Sequence, residues 1–118
     1  MGRPIHFELQ SGDCAKAQKF YGDLFGWKFK QFGSHEYWLA MTGECPGIDG
    51  GLMPSNGLKN WVCTIEVDNL DVHLEKVSAA GGVVVVPKMP IPGVGWLAYG
   101  NDPDGNIFGM MQSDPSAA

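Results

Sequence analysis

Between residues 4 and 10 the chain alternates, with Ile5, Phe7 and Leu9 set against His6, Glu8 and Gln10. A two-residue period is that of a strand with one apolar face. His6, Glu8 and Gln10 are therefore expected to share the opposite face. The period then changes. Asp13 stands where a helix N-cap belongs, Ala17, Phe20, Tyr21, Leu24 and Phe25 recur at helical spacing, and Gly26 supplies a stop. Three short strands are expected next: Trp27 to Phe32, Tyr37 to Thr42 after a turn at Gly33-Ser34, and Ile48 to Met53 after a Gly/Pro-rich loop over 43–47.

The second half of the chain repeats this order. Trp61 to Val67 reads as a strand, Leu70 to Ala80 as a helix capped by Asp68 or Asn69 and ended by Gly81-Gly82, and Val83 to Val86 as a strand. A long irregular connection, Lys88 to Gly95, is a candidate lid before Trp96 to Tyr99. Asp102-Pro103-Asp104-Gly105 is a turn signature, and Ile107 to Met111 closes the series. Pro54 to Lys59 reads as a polar linker and Ser113 to Ala118 as a fraying tail.

The repetition extends to residue identity. Trp38-Leu39-Ala40-Met41 returns as Trp96-Leu97-Ala98-Tyr99, and Gly51-Leu52-Met53 as Gly109-Met110-Met111, at one offset of 58 residues. A half-chain module is too small to close a core alone. Module one (about 4–54) and module two (about 60–113) are thus expected to form one α+β domain over residues 1–118. That domain is a pair of βαβββ units making a mixed sheet, with the helices on its outer face and a cup on the other. Ile5, Phe7, Leu9, Cys63, Ile65 and Val67 are expected under the helices, and His6, Glu8, Gln10, Val62, Thr64 and Glu66 in the cup.

Composition narrows the partners. A hydrophobic content of 44% with four Trp, three Tyr and six Phe is that of a globular chain. No apolar run approaches the ~18 residues of a membrane span. A net charge of -5 with scattered Lys and Arg argues against nucleic acid, which is held by clustered cations. Met1-Gly2-Arg3-Pro4 leads straight into the first strand, so the expected setting is cytoplasmic. Cys14, Cys45 and Cys63 form no CxxC pair and read as reduced thiols. No phosphate loop, serine elbow or pair of catalytic carboxylates is present.

Candidate chemistry concentrates in the cup. His6 titrates near neutrality and Glu8, two residues on, can orient or charge it, which makes the pair a candidate acid–base couple. Gly51 and Gly109 sit inside expected strands, where glycine signals either close approach of a ligand or a bend. Trp38 and Trp96 offer flat walls, and Met53 and Met111 an adaptable lining. His35 falls at a hairpin tip and His73 on a helix surface.

The leading strand with His6, the helix ending Phe20-Tyr21-Gly22-Asp23-Leu24-Phe25-Gly26-Trp27, and the closing Asp102-Pro103-Asp104-Gly105-Asn106-Ile107-Phe108-Gly109 together resemble the vicinal-oxygen-chelate superfamily of glyoxalases, bleomycin resistance proteins and extradiol dioxygenases. Ile48-Asp49-Gly50-Gly51-Leu52-Met53 and Ile91-Pro92-Gly93-Val94-Gly95-Trp96 are similar to its short members without an assigned reaction. The resemblance implies a U-shaped sheet and a homodimer. It also implies metal-ligand positions at His6, Gly51, Val62 and Gly109, of which only His6 carries a donor. A catalytic metal normally takes about three protein ligands, so no metal or other cofactor is expected.

The expected function is that of a small-molecule binding protein or enzyme of the glyoxalase/bleomycin-resistance type. Its organic ligand would lie among His6, Glu8, Trp38, Gly51, Met53, Val62, Thr64, Glu66, Trp96, Gly109 and Met111. The alternative is a metal-dependent lyase, isomerase or oxygenase working through His6 and Glu8.

Overall fold

The computed structural model describes residues 1–44, 46–55 and 60–118. Two compact units share the chain, one of Ile5–Val62 and one of Cys63–Ala118 together with Met1–Pro4. The first, here the N-terminal unit, holds β1 (Pro4–Ser11), α1 (Cys14–Phe25), β2 (Lys28–Gln31), β3 (Trp38–Met41) and β4 (Gly50–Pro54). β5 (Trp61–Glu66) crosses the division in sequence, and the C-terminal unit holds its last four residues with α2 (Leu70–Ala79), β6 (Val83–Ile91), β7 (Gly95–Asn101) and β8 (Ile107–Ser113). Each is βαβββ, so the chain is α+β with the element order that the repeat implies. Cys45 and the linker positions Asn56 to Lys59 lie outside the described residues.

The strands of the N-terminal unit run β2-β3-β4-β1, antiparallel except that β4 lies parallel to β1. The C-terminal unit runs β5-β8-β7-β6 with β8 parallel to β5. A parallel pair needs a crossover, and here α1 or α2 with two strands supplies it. Asp13 accepts a hydrogen bond from the Lys16 N–H at 3.1 Å and starts α1. Gly26, at a φ of 76°, ends it in the left-handed conformation that residues with a Cβ rarely adopt. Asn69 caps α2 through the Val72 N–H. The free N–H of Leu70 donates to the Gln112 side chain at 2.8 Å, tying the start of α2 to β8.

Register assigns side chains to faces. In the N-terminal unit Glu8, Gly51 and Leu39 lie in one row, and Leu9, Leu52 and Trp38 in the adjacent row on the other face. Leu52 and Ala40 are buried, and beside them Phe7, Tyr21, Trp27 and Trp61 form an aromatic web with centroids 5.1 to 5.8 Å apart along its closest pairs. The core of the C-terminal unit is Val67, Leu70, Ala98 and Met110, with Leu74, Val77, Trp96 and Phe108 against it.

Three expectations are corrected. The lid expected over Lys88 to Gly95 is strand for most of its length. β6 continues to Ile91 against β7, with register shifts at Val84/Val86 and Val86/Met89, and a tight turn closed by Val94 N–H to the Ile91 carbonyl follows. Proline is tolerated at an irregular strand with a free side, which is why Pro87 and Pro90 do not end it. The tail does not fray. The Ala117 carbonyl accepts the Gly93 N–H, Asp114 N–H donates to Val94, and Ala117 is buried. Ile5 and Cys63 are exposed rather than covered by a helix; alternation fixes a residue's face, not how far a helix reaches along it.

Leu70 is fully buried, so Leu70→Ala should lower the unfolding free energy by about 2 to 5 kcal/mol. On the same helix, Val72→Ala at an exposed position should cost no more than about 0.5 kcal/mol. Urea unfolding of the two variants measures the contrast; equal losses would show that α2 does not close this core.

Candidate functional site

Strand alternation places His6 and Glu8 two residues apart on one face of β1, and pairing places Gly51 of β4 beside Glu8. Tyr37, just ahead of β3, reaches onto the same surface. Its hydroxyl lies 2.8 Å from His6 Nε2. A Cβ built on Gly51 would overlap this phenol, so the glycine is what admits the ring. Glu8 is 5% exposed, and the phenol also hydrogen-bonds to it. His6, Tyr37 and Glu8 thus form one row of polar groups on the N-terminal unit.

Charge and burial set the protonation of this row. Burial first, then the negative charge of Glu8 and the hydrogen bond to it, push Tyr37 well above its ordinary pKa of 10.0, so it stays a phenol. Burial also holds His6 below its ordinary 6.5, against the opposing influence of Glu8 and Asp49. Asp49 is fixed by accepting from Thr42 N–H at 2.9 Å and from its hydroxyl at 3.1 Å. At neutral pH the row is an uncharged imidazole bonded to an uncharged phenol.

The other anticipated residues separate. Met53 lies two residues beyond Gly51 on the same face, and Val62 is buried in the same unit. Trp38 pairs with Leu52, on the face opposite Glu8, so it does not line the surface that carries His6. Thr64, Glu66, Trp96, Gly109 and Met111 belong to the C-terminal unit. There Thr64 pairs with Gly109 and Glu66 with Met111. A Cβ on Gly109 would meet Thr64 Oγ1 at 3.0 Å and the Tyr99 ring at 3.3 Å, so room at this glycine too is taken up by a tyrosine. Glu66 accepts from the Ser113 hydroxyl at 3.1 Å. Trp96 packs on the α2 core, donates to Asp114 at 3.0 Å and lies under the Lys88 ammonium, 4.8 Å from the ring centroid. A fixed core role replaces the ligand wall expected of it.

The donor set does not fit a catalytic metal. Among the described residues no three His, Cys, Asp or Glu side chains are grouped closely enough to hold an ion. Gly51 and Gly109 offer no side-chain donor, and His6 Nε2 is already engaged by a phenol. Nor is Cys14 activated: burial, then Glu36 and Asp13, raise its thiol pKa.

Tyr37 is the residue that sequence reasoning missed. The only signal for it was the unexplained glycine at 51, because which tyrosine fills a strand glycine depends on pairing between strands rather than on either strand alone.

Comparison with known proteins agrees with the fold. Residues 3–43 match the family described as bleomycin resistance protein-like N-terminal. CFP32 of Mycobacterium tuberculosis, a candidate glyoxylase, is 32% identical over 96% of this chain and 46% of its own length. A probable lactoylglutathione lyase of Vibrio parahaemolyticus is 28% identical over 99% of this chain and 95% of its own. A glyoxalase/bleomycin resistance protein/dioxygenase superfamily member from Vibrio splendidus superposes with a TM-score of 0.67 at 17% identity, covering 97% of this chain and all of that one. The chain is thus similar in sequence to glyoxalase-type proteins and shares the fold of the glyoxalase/bleomycin resistance/dioxygenase superfamily member. It spans about half the length of CFP32.

Because His6 is depressed below 6.5, the unfolded chain takes up its proton first as pH falls. The stabilisation is complete above pH 6.5 and is lost as pH drops through the folded value. Denaturant midpoints recorded from about pH 7 to about pH 5 should fall less steeply in His6→Gln than in the parent protein. Parallel pH slopes would mean that His6 is not held neutral by the fold.

Proposed function

We propose that the chain binds a small organic molecule on the N-terminal unit, at the face carrying His6, Tyr37, Glu8 and Met53, and that this site works without a metal. The observation that carries the reading is the 2.8 Å contact between His6 Nε2 and the Tyr37 hydroxyl. It places two neutral hydrogen-bonding groups at the position where a metal-dependent relative would need a vacant nitrogen donor. Such a pair suits an uncharged polar ligand held by hydrogen bonds, with Met53 as an adaptable apolar neighbour. Trp38, on the opposite face of its unit, supplies no flat wall for an aromatic ligand here. A metal-dependent lyase, isomerase or oxygenase using His6 and Glu8 is the competing reading, and the donor set disfavours it. The free thiols of Cys14 and Cys63 are in keeping with a cytoplasmic setting.

Native mass spectrometry on protein prepared without chelator and passed through cell extract separates the two. An added organic mass, lost in His6→Ala, is the expected result. A stoichiometric zinc, iron, manganese or nickel ion lost in His6→Ala would overturn the metal-free reading, and an unmodified mass would remove the ligand.

The α1 surface supports a homodimer. Phe20, Leu24 and Phe25 are each more than half exposed, and no residue of α1 is buried. An open groove of about 600 Å³ adjoins them, lined by Leu9, Ser11, Ala17 and Tyr21 among others. Contiguous apolar area of this kind marks an association surface. The occupant we infer is a second copy. Lys19 and Asp23 pair along α1 at 2.7 Å, and because one is basic and the other acidic, two antiparallel α1 helices related by a two-fold axis near Tyr21 would set Lys19 of each against Asp23 of the other, a self-complementary pattern. Light scattering should give a dimer mass, and Phe20→Asp with Leu24→Asp should give a folded monomer. A monomeric parent protein would sink this interface.

A further inference from the structure

We infer that Tyr37 is a positioning residue that fixes the His6 imidazole with its proton on Nε2 and so presents Nδ1 as an unprotonated acceptor. The inference deepens the proposed site, and its bearing on a ligand rests on that reading.

A phenol has a single O–H to give, and two acceptors compete for it: His6 Nε2 at 2.8 Å and the buried carboxylate of Glu8. Hydrogen bonds to an ionised acceptor are roughly twice as strong as those between neutral groups, so the phenolic proton goes to Glu8. The phenol oxygen is then left to accept. At 2.8 Å Nε2 must be its donor, because two facing lone pairs would repel. A neutral imidazole has one N–H, and with that proton on Nε2 the other nitrogen carries a lone pair. Burial keeps the ring neutral near pH 7, so the tautomer is meaningful there.

Nδ1 is also reachable. His6 is half-buried, its hydrogen bond is made at Nε2, and among the described residues no buried side-chain nitrogen or oxygen lacks a partner. Among the described residues nothing bonds to Nδ1, so by that count this nitrogen reaches accessible space. What meets a ligand at this site is a hydrogen-bond acceptor and base, steadied from behind by the phenol and, through it, by Glu8. The ligand it selects is one with a proton to offer: a hydroxyl, an N–H, or a C–H acidified by a neighbouring carbonyl.

Gly51 is part of the same device. With no side chain there, Tyr37 reaches both partners at once; a methyl group at 51 would claim the volume the phenol occupies.

Long-range proton–nitrogen NMR of the histidine rings tests this without any ligand, so its failure is separable from failure of the binding reading. Three histidines are present, and His6→Gln assigns the signals of residue 6. Above pH 7 the parent protein should show a protonated Nε2 and an unprotonated Nδ1 for His6. Glu8→Gln removes the charge that draws the phenolic proton, so the Nδ1-protonated form should become populated. Tyr37→Phe should bring the His6 nitrogen shifts to those of exposed His35. A parent His6 protonated on Nδ1, or nitrogen shifts unmoved by both Glu8→Gln and Tyr37→Phe, would overturn the assignment.

Discussion

Two adjacent glycines in β4 govern how the N-terminal unit is filled, because each admits an aromatic ring on a different face. A Cβ on Gly50 would come 2.5 Å from the Phe7 ring, and one on Gly51 would collide with the Tyr37 phenol. Glycine in a strand costs about 0.5 to 1 kcal/mol relative to alanine. Here that cost is set against the burial of two rings. From the first ring extends the aromatic web of Trp27, Trp61 and Tyr21. From the second extends the hydrogen-bonded row that holds His6 and Glu8. One backbone dipeptide therefore sets both the packing on one side of the strand and the polar chemistry on the other.

The duplicated architecture has diverged in chemistry while keeping its geometry. Gly51 lies beside Glu8 with a histidine and a phenol at hand, whereas Gly109 lies beside Thr64 and Tyr99, and Val62 stands at the repeat position of His6 in the sequence. Both glycines are filled by tyrosines, yet from opposite ends of the corresponding strands: Tyr37 precedes β3, and Tyr99 lies late in β7. In the second unit Glu66 accepts from the Ser113 hydroxyl. Shared backbone pairing tolerates this divergence because register is set by the apolar pattern and the turns, and a change among the polar positions leaves both in place.

Legibility followed the strength of the physical signal. The β1 alternation was readable because one face is polar and the other apolar, and both helix starts were readable because Asp13 and Asn69 supply caps that the structure uses. Trp38 and Trp96 were misplaced for the opposite reason. Trp38-Leu39-Ala40-Met41 and Trp96-Leu97-Ala98-Tyr99 are apolar on both faces, so a two-residue period carries no information on which side is which. The length of β6 was hidden by Pro87 and Pro90, which normally punctuate a strand and here sit on one with a free side. Tyr37 was invisible because its partners come from β1 and β4, and no local pattern encodes a meeting of three segments.

The irregularity of β6 has a consequence for the fate of the chain in a crowded solution. β6 ends the strand order of its unit, its register against β7 slips twice, and Pro87 and Pro90 remove two donors from its backbone. At the far end of the other unit's order, β2 is only four residues long and carries Lys28 and Lys30. A foreign strand seeking to zip onto either rim meets missing N–H groups and shifted spacing at one, and a short, cationic ledge at the other. Strand addition at β2 and at β6 is thereby disfavoured.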